Sequence, residues 1–306
     1  MEQNRTESNR RGHIAAIIMA LIIGMLGTLW SLNNQKLKDS EAVIPSPGIG
    51  TGLTVHFIDV GQGDSILLTC GKQSMLVDAG SEQAGQTVVD YLRRQSVTVL
   101  DYLVSTHPHR DHCGGLAAVV QNFTVRTAYS PVTESDSEYF AAFAKAAKTA
   151  KLNITVPAAG DTFPLGAAKV TVLGPVGDYE SLDNVNDMSL VLRVDYGETS
   201  FLLTGDMEYG EETALLNAGA DVDCTVLKAA HHGSGYSTGY RLLYAATPEI
   251  AVISCGAGNE YGHPHEETLS RLADAGAEVY RTDLNGTIIC VSDGNTVSMG
   301  YERPAA

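Results

Sequence analysis

The chain has 306 residues, enough for one large α/β domain, and its 44% apolar and 18% charged residues exclude wholesale disorder. The formal net charge is −16, so a general electrostatic footprint for nucleic acid is excluded and any anionic substrate must be attracted by a local feature. The five cysteines are odd in number and form no CxxC pair, which argues against a disulfide framework and favours buried thiols.

Residues 14–32 form an uncharged run, IAAIIMALIIGMLGTLWSL, that is long enough to span a membrane as a helix. Three arginines precede it and favour a cytoplasmic N-terminus. The alternative is a cleaved signal peptide, but the run is longer than a usual signal-peptide core and no small-x-small cleavage site follows it. We therefore predict four segments in a single-pass protein of the cell membrane: a cytoplasmic N-terminus at 1–13, an anchor at 14–32, a linker at 33–52 and an extracytoplasmic domain at 53–306.

From residue 53 onward, short apolar runs alternate with stretches of helical spacing. The runs LTVHFIDV, SILLTC and KQSMLVDAG predict strands, QTVVDYLRRQ predicts a helix with Val88, Tyr91 and Leu92 on one face, and VLDYLVST predicts a buried strand. Helices are predicted at GGLAAVVQNF and SEYFAAFAKAAKTAKL, followed by the hairpin SLVLRVDYGETSFLLTGD. The remainder alternates helix and strand and ends in a hairpin at VSDGNTVSMG. This order predicts an α/β fold of mixed sheets with helices on their outer faces.

Seven of the nine histidines fall in three clusters, and each cluster directly follows a predicted strand. The first cluster, STHPHRDHCGG, holds four potential metal ligands within six residues: His107, His109, Asp111 and His112. Packing does not explain such a concentration of imidazole and carboxylate groups, which suit zinc, manganese or iron. The other clusters, in AAHHGS and YGHPHE, are candidates either for further ligands or for hydrogen-bonded structural histidines.

The HPHRDH segment followed by GG matches the HxHxDH signature of the metallo-β-lactamase superfamily. SMLVDAG and FLLTGD resemble the superfamily's strand-end aspartate and bridging-carboxylate segments. Further segments, among them HFIDVGQGDS, VLKAAHHGS and AVISCGAGNEYGHPH, resemble the C-terminal metallo-β-lactamase domain of the ComEC family of DNA-uptake proteins, over residues 53–301. The resemblance implies an αββα sandwich of two mixed sheets, here preceded by one transmembrane helix, and a centre for two divalent metal ions, Zn or Mn.

The resemblance also implies roles for individual residues. His107 and His109 would bind one ion, Asp111 and His112 the other, and Asp206 would bridge them, with Asp111 and Asp206 as the catalytic carboxylates. The superfamily usually supplies a further histidine between residues 113 and 205, and this chain has none there. Asn184, Asn186 or a water molecule are the candidates for that position.

His231 is the best candidate for an additional ligand, and His263 either closes the second site or contacts substrate. His232 is assigned to substrate instead, because adjacent side chains on an extended backbone point in opposite directions. It joins Lys228 and Ser234 as a predicted phosphate contact. Three aspartates have predicted supporting roles: Asp78 braces the histidine loop, and Asp59 and Asp64 flank the VGQGD turn, where turn geometry is as good an explanation as a direct role.

The leading functional hypothesis is a phosphodiesterase or nuclease that acts on DNA. A small-molecule metallohydrolase that cleaves a lactone, thioester or other ester is the first alternative, and the acidic charge favours it. A non-catalytic, membrane-anchored DNA-binding or assembly factor is the second, although the full HxHxDH set together with Asp206 argues against it. Because a single span does not conduct DNA, a role in DNA uptake requires a channel protein as partner.

Overall fold

The computed structural model describes residues 52–176 and 184–302, which fold into two mixed sheets with helices on their outer faces. The strands are β1 (Leu53–Phe57), β2 (Ile66–Cys70), β3 (Gln73–Val77), β4 (Val99–Val104), β5 (Thr124–Tyr129), β6 (Ile154–Thr155), β7 (Thr162–Leu165), β8 (Ala168–Gly174), β9 (Val191–Tyr196), β10 (Thr199–Leu203), β11 (Val226–Lys228), β12 (Ile250–Ile253), β13 (Glu278–Arg281), β14 (Ile288–Ser292) and β15 (Val297–Tyr301). The α-helices are α1 (Gly85–Arg94), α2 (Arg110–Cys113), α3 (Leu116–Asn122), α4 (Glu138–Thr149), α5 (Tyr209–Asn217), α6 (Tyr240–Ala246), α7 (Glu266–Asp274) and α8 (Thr282–Asn285). Two short 3₁₀ turns lie at Val185–Met188 and Ala230–Gly233.

The first sheet has the strand order β15-β14-β1-β2-β3-β4-β5-β6, and the second has the order β13-β12-β11-β10-β9-β8-β7. In the first sheet, β3 to β6 are parallel and the other neighbours are antiparallel. In the second, β10 to β13 are parallel and β7 to β10 are antiparallel. The prediction of two mixed sheets is therefore confirmed.

Three buried apolar clusters correspond to the three interfaces of a four-layer sandwich. One lies between the sheets and includes Phe57 from β1 and Phe201 from β10. A second joins the first sheet to α1, α3 and α4, and a third joins the second sheet to α5, α6 and α7. The predicted apolar face of α1 is confirmed, since Val88, Tyr91 and Leu92 are all at most 1% exposed. Strands such as β1 are buried on both faces, which explains their continuous apolar sequence.

All five cysteines of the sequence lie within the described residues, and all five are buried and free. Cys70 and Cys290 belong to the cluster between the sheets, Cys113 to the cluster beneath α1, and Cys224 and Cys255 to the cluster beneath α5. The sequence-based expectation of buried thiols without a disulfide framework is therefore confirmed.

The predicted membrane anchor at 14–32, the segment 1–13 and the linker up to residue 51 lie outside the described residues. Among the residues that are described, no helix has the length and apolar character needed to cross a membrane.

The loops that carry the histidine clusters follow the carboxyl ends of parallel strands. The HxHxDH loop follows β4 of the first sheet, and the other two clusters follow β11 and β12 of the second. Carboxyl ends of neighbouring parallel strands share one edge of a sheet, which is where α/β folds bind their ligands. The topology thus gathers distant parts of the sequence into one place.

Candidate metal centre

Asp78 holds the HxHxDH loop in place from a fully buried position at the end of β3. Its carboxylate accepts hydrogen bonds from the Thr106 backbone N–H at 2.8 Å and the Thr106 hydroxyl at 2.6 Å. The same carboxylate lies 2.8 Å from Nδ1 of His112. Because a carboxylate accepts, Nδ1 of His112 is the protonated nitrogen, and the lone pair of the neutral ring is on Nε2.

His231 and His232 both adopt left-handed backbone conformations, with φ of 49° and 55°. Side chains point to alternate sides only on an extended chain, so His231 and His232 are free to face the same cleft in this loop. The two rings lie 6.0 Å apart and both line one cleft. Nδ1 of His232 donates to the Ser254 carbonyl at 2.9 Å, which leaves Nε2 of its neutral ring free as well.

Two imidazoles and two carboxylates converge on one buried point. Nε2 of His112 and Nε2 of His232 are 3.3 Å apart. Oδ2 of Asp206 lies 3.1 Å from the first nitrogen and 3.3 Å from the second, and Oδ2 of Asp111 lies 3.3 Å from the second. Ligands about 2.0–2.1 Å from a tetrahedral metal ion are about 3.3 Å from one another. The spacing of His112, Asp206 and His232 therefore fits a divalent cation, and Asp111 adds a carboxylate oxygen beside His232.

The electrostatics of this point also favour a cation. Burial alone would lower the pKa of His112 and of His232, yet Asp206 and the neighbouring carboxylates raise both well above the ordinary value. For Asp206, burial acts to raise the pKa, and the charges of His112 and His232 overcome it and hold the pKa well below its usual range. A positive charge at this point is therefore stabilised strongly, whether protons or a metal ion supply it.

A second group of donors, His107 and His109, also lies near Asp206. The Thr106 hydroxyl, which donates to Asp78, is 3.1 Å from Nδ1 of His107 and accepts its proton, so Nε2 of His107 carries the lone pair. This Nε2 is 3.0 Å from Nδ1 of His109 and 4.0 Å from Oδ2 of Asp206. Burial lowers the pKa of both His107 and His109. At neutral pH these rings are uncharged and suited to bind metal.

Two further histidines line the cleft without joining the compact donor group. Nε2 of His231 is 3.8 Å from Oδ2 of Asp206, and its Nδ1 is 3.2 Å from Oε1 of Glu208. The His263 ring lies 5.5 Å from that of His231, and burial lowers its pKa to about 4. His231, predicted as the additional ligand, is thus farther from Asp206 than His232, which had been assigned to substrate.

Two predicted phosphate contacts, Lys228 and Ser234, have buried side chains that bind partners within the fold, and their role toward phosphate stays a prediction. Lys228 is fully buried, and its ammonium group binds Oδ2 of Asp64 at 2.9 Å and the Ala229 carbonyl at 2.8 Å. Ser234 is 2% exposed, and its hydroxyl accepts from the Tyr236 N–H within its own loop. Neither residue is among those that line the cleft.

The two aspartates of the VGQGD segment have different places. Asp59 accepts from the Gly61 N–H at 3.1 Å, which fits the turn-geometry explanation. Asp64 offers a carboxylate oxygen to the potential metal group, but it approaches His232 from the Nδ1 side, at 3.4 Å. Asp64 therefore lies on the Nδ1 side of His232, away from the point on which the Nε2 atoms of His112 and His232 converge.

Sequence reasoning missed several residues of the site. Glu208 lies beside His231, and Gln62 and Tyr261 line the cleft. The Ser189 hydroxyl accepts from the Asp206 N–H at 3.0 Å and lies 3.4 Å from Nδ1 of His107. Glu208 follows the predicted bridging carboxylate in TGDME, so its position two residues from Asp206 was an available signal. No comparable feature of the sequence marks Gln62, Ser189 or Tyr261.

A family profile described as the metallo-beta-lactamase superfamily matches residues 58–257. The chain belongs to the metallo-β-lactamase superfamily. ComE operon protein 3 of Bacillus subtilis is 31% identical, over 76% of this chain and 32% of that protein. Competence protein ComA of Neisseria gonorrhoeae is 32% identical, over 75% of this chain and 31% of that protein. This member of the superfamily therefore spans about a third of the length of these relatives.

Among solved structures, the metallo-beta-lactamase fold protein YhfI from Bacillus subtilis has a TM-score of 0.53 and 15% identity, and covers 81% of this chain and 100% of YhfI. This similarity supports the fold. The resemblance expected from the sequence, to the superfamily and to a competence-protein domain, is confirmed. With its buried His/Asp cluster, this superfamily member is a metallohydrolase domain with a site for divalent metal.

Proposed function

We propose that the chain is a dinuclear metal-dependent phosphodiesterase that acts on DNA. The observation that carries the proposal is the position of Oδ2 of Asp206, which lies within 4.0 Å of imidazole nitrogens of His107, His112, His231 and His232. One carboxylate oxygen close to the donors of both proposed sites can be shared by two ions. The name of one relative, Competence protein ComA, supports DNA as the substrate.

His107, His109 and Asp206 would hold one ion, Zn or Mn, and Asp111, His112, His232 and Asp206 would hold the other. When bound, such a pair acts as Lewis acid toward a phosphodiester and lowers the pKa of water to near neutrality. The chain itself keeps the ligands ready: Asp78, Thr106 and the Ser254 carbonyl fix which imidazole nitrogens carry protons. Asp111, whose pKa burial would raise, is kept ionised by hydrogen bonding to His232 and by the charge of His112.

The small volume of the cleft favours contact with only a short stretch of substrate. Its volume is about 300 Å³, at the lower end for ligand sites. Arg110 is a cation in its lining and is half exposed, with its guanidinium paired to Glu82 at 2.7 Å. Because few cations are available to displace counterions, DNA should bind modestly and with a shallow dependence on salt concentration.

The test is hydrolysis by the purified protein with Mn, Zn or Mg, on single-stranded DNA, double-stranded DNA and a nitrophenyl phosphodiester. We expect cleavage of DNA and of the nitrophenyl ester that requires added metal and stops with a chelator. The small cleft and the acidic charge favour a small-molecule metallohydrolase as second candidate. Hydrolysis of a lactone or thioester with no phosphodiester cleavage would contradict the DNA proposal, and DNA binding without any hydrolysis would favour a non-catalytic factor.

We further propose that residues 14–32 anchor the chain in the cell membrane, with the metallo-β-lactamase domain outside the cytoplasm and a channel protein as partner. The support is the uncharged run after three arginines. Protease added to intact spheroplasts should digest the domain, while a cytoplasmic marker protein stays whole. Full protection of the domain in spheroplasts, with digestion after lysis, would reverse the orientation.

A further inference from the structure

The 3₁₀ turn before β9 brings two asparagines to the edge of the cleft. Asn184 precedes the turn Val185–Met188, and Asn186 lies within it. The turn is tied to the metal centre, because the Ser189 N–H donates to the Asn186 carbonyl and the Ser189 hydroxyl lies 3.4 Å from Nδ1 of His107. Asn186 also lines the cleft together with His109 and Asp206.

Glu208 fixes the orientation of both amide groups. Its Oε2 accepts from the side-chain NH₂ of Asn184 at 2.9 Å, and its Oε1 accepts from that of Asn186 at 2.8 Å. Glu208 is itself held by its backbone N–H, which donates to Asp187 at 2.8 Å. A carboxylate only accepts, so the NH₂ of each asparagine must face Glu208 and each amide oxygen must point away from it.

The amide oxygens of Asn184 and Asn186 differ in their hydrogen-bond partners. Oδ1 of Asn184 accepts from the backbone N–H of Asn186 at 3.1 Å. Oδ1 of Asn186 is buried and has no hydrogen-bond partner among the described residues. A buried carbonyl oxygen without a hydrogen-bond partner destabilises the fold. Its position in a cleft lined by imidazole lone pairs shows what kind of partner is lacking: a cation or a proton donor.

We infer that Asn186 supplies, through Oδ1, the ligand that the missing histidine leaves open in the first metal site, and that Glu208 orients it. This inference rests on the two-ion centre of the proposed function. The first site then has two imidazoles, the shared Asp206 carboxylate and a neutral amide oxygen. Compared with a site of three imidazoles, it is richer in oxygen and binds divalent first-row ions less tightly.

The test is metal binding, measured without substrate by equilibrium dialysis and isothermal titration against Mn²⁺ and, separately, Zn²⁺. We expect two ions per wild-type chain, with unequal affinities. Asn186→Ala should keep the tighter ion and lose the weaker one, or bind it at least about tenfold less tightly.

Asn184→Ala is the matched control, because it removes an amide from the same turn whose oxygen is already occupied. We expect it to retain two ions, and circular dichroism checks that each variant is folded. Two ions with unchanged affinity in Asn186→Ala would overturn the inference, and so would equal losses in both alanine variants. A single ion in wild type would overturn the two-ion centre and this inference together, whereas two ions without DNA cleavage would contradict only the proposed substrate.

Discussion

Asp206→Ala is expected to remove both metal ions and to lower the rate of metal-dependent hydrolysis at least about a thousandfold, equivalent to about 4 kcal/mol of transition-state stabilisation. The reason is geometric, since the same carboxylate oxygen faces the donors of both proposed sites. Metal content by mass spectrometry and hydrolysis of a nitrophenyl phosphodiester measure the two effects separately.

Asp90→Ala is the control for this change, because it removes an equally charged group from α1, where the side chain is half exposed. It should keep its metal ions and its activity. Retention of both ions by Asp206→Ala, together with more than a tenth of the wild-type rate, would show that Asp206 is not the shared ligand.

The buried pair of Asp64 and Lys228 is expected to give the largest change in stability. Both side chains are at most 1% exposed, and their charged atoms are 2.9 Å apart. Lys228→Met would leave the Asp64 carboxylate buried without its cation, which typically costs about 3–5 kcal/mol of unfolding free energy. Urea unfolding in the presence of a chelator measures this cost without a contribution from bound metal.

The double variant Asp64→Leu/Lys228→Met separates a lost ion pair from lost packing. Replacement of both partners by apolar side chains is often neutral, so the double variant should be more stable than Lys228→Met alone. Arg93→Met removes one partner of an exposed pair on α1 and should cost less than about 1 kcal/mol. If the double variant instead lost more unfolding free energy than Lys228→Met alone, as for two independent side chains, the result would contradict the ion pair seen in the structure.

The strands and helices that the sequence predicted are those with strong apolar patterns. The buried face of α1 and the continuous apolar strands around β1 and β10 have this character. No strand was assigned to the stretch between α3 and the 3₁₀ turn, where β5 to β8 lie. β6 and β7 are short edge strands, β7 contains a proline, and β5 is largely exposed or half buried, so their apolar signal is weak.

Within the site, the sequence predicts which residue types lie close together, but it does not predict the direction in which each side chain points. The HxHxDH spacing indicated a metal-binding loop because four ligand types crowd one short segment. The orientation of His232 depends on a left-handed backbone at two consecutive histidines, which residue composition does not reveal. The burial of Lys228 depends on Asp64, a partner in the loop between β1 and β2, and a single sequence does not show such long-range pairings.

The burial of all five cysteines has a consequence for the redox environment that the folded domain tolerates. The thiolate is the form that attacks disulfides and electrophiles. Burial raises the pKa of Cys224 and of Cys255 to about 12, and it raises the pKa of Cys113 and Cys290 as well. The folded domain therefore exposes none of its five thiols, and an oxidant in its surroundings finds no accessible cysteine.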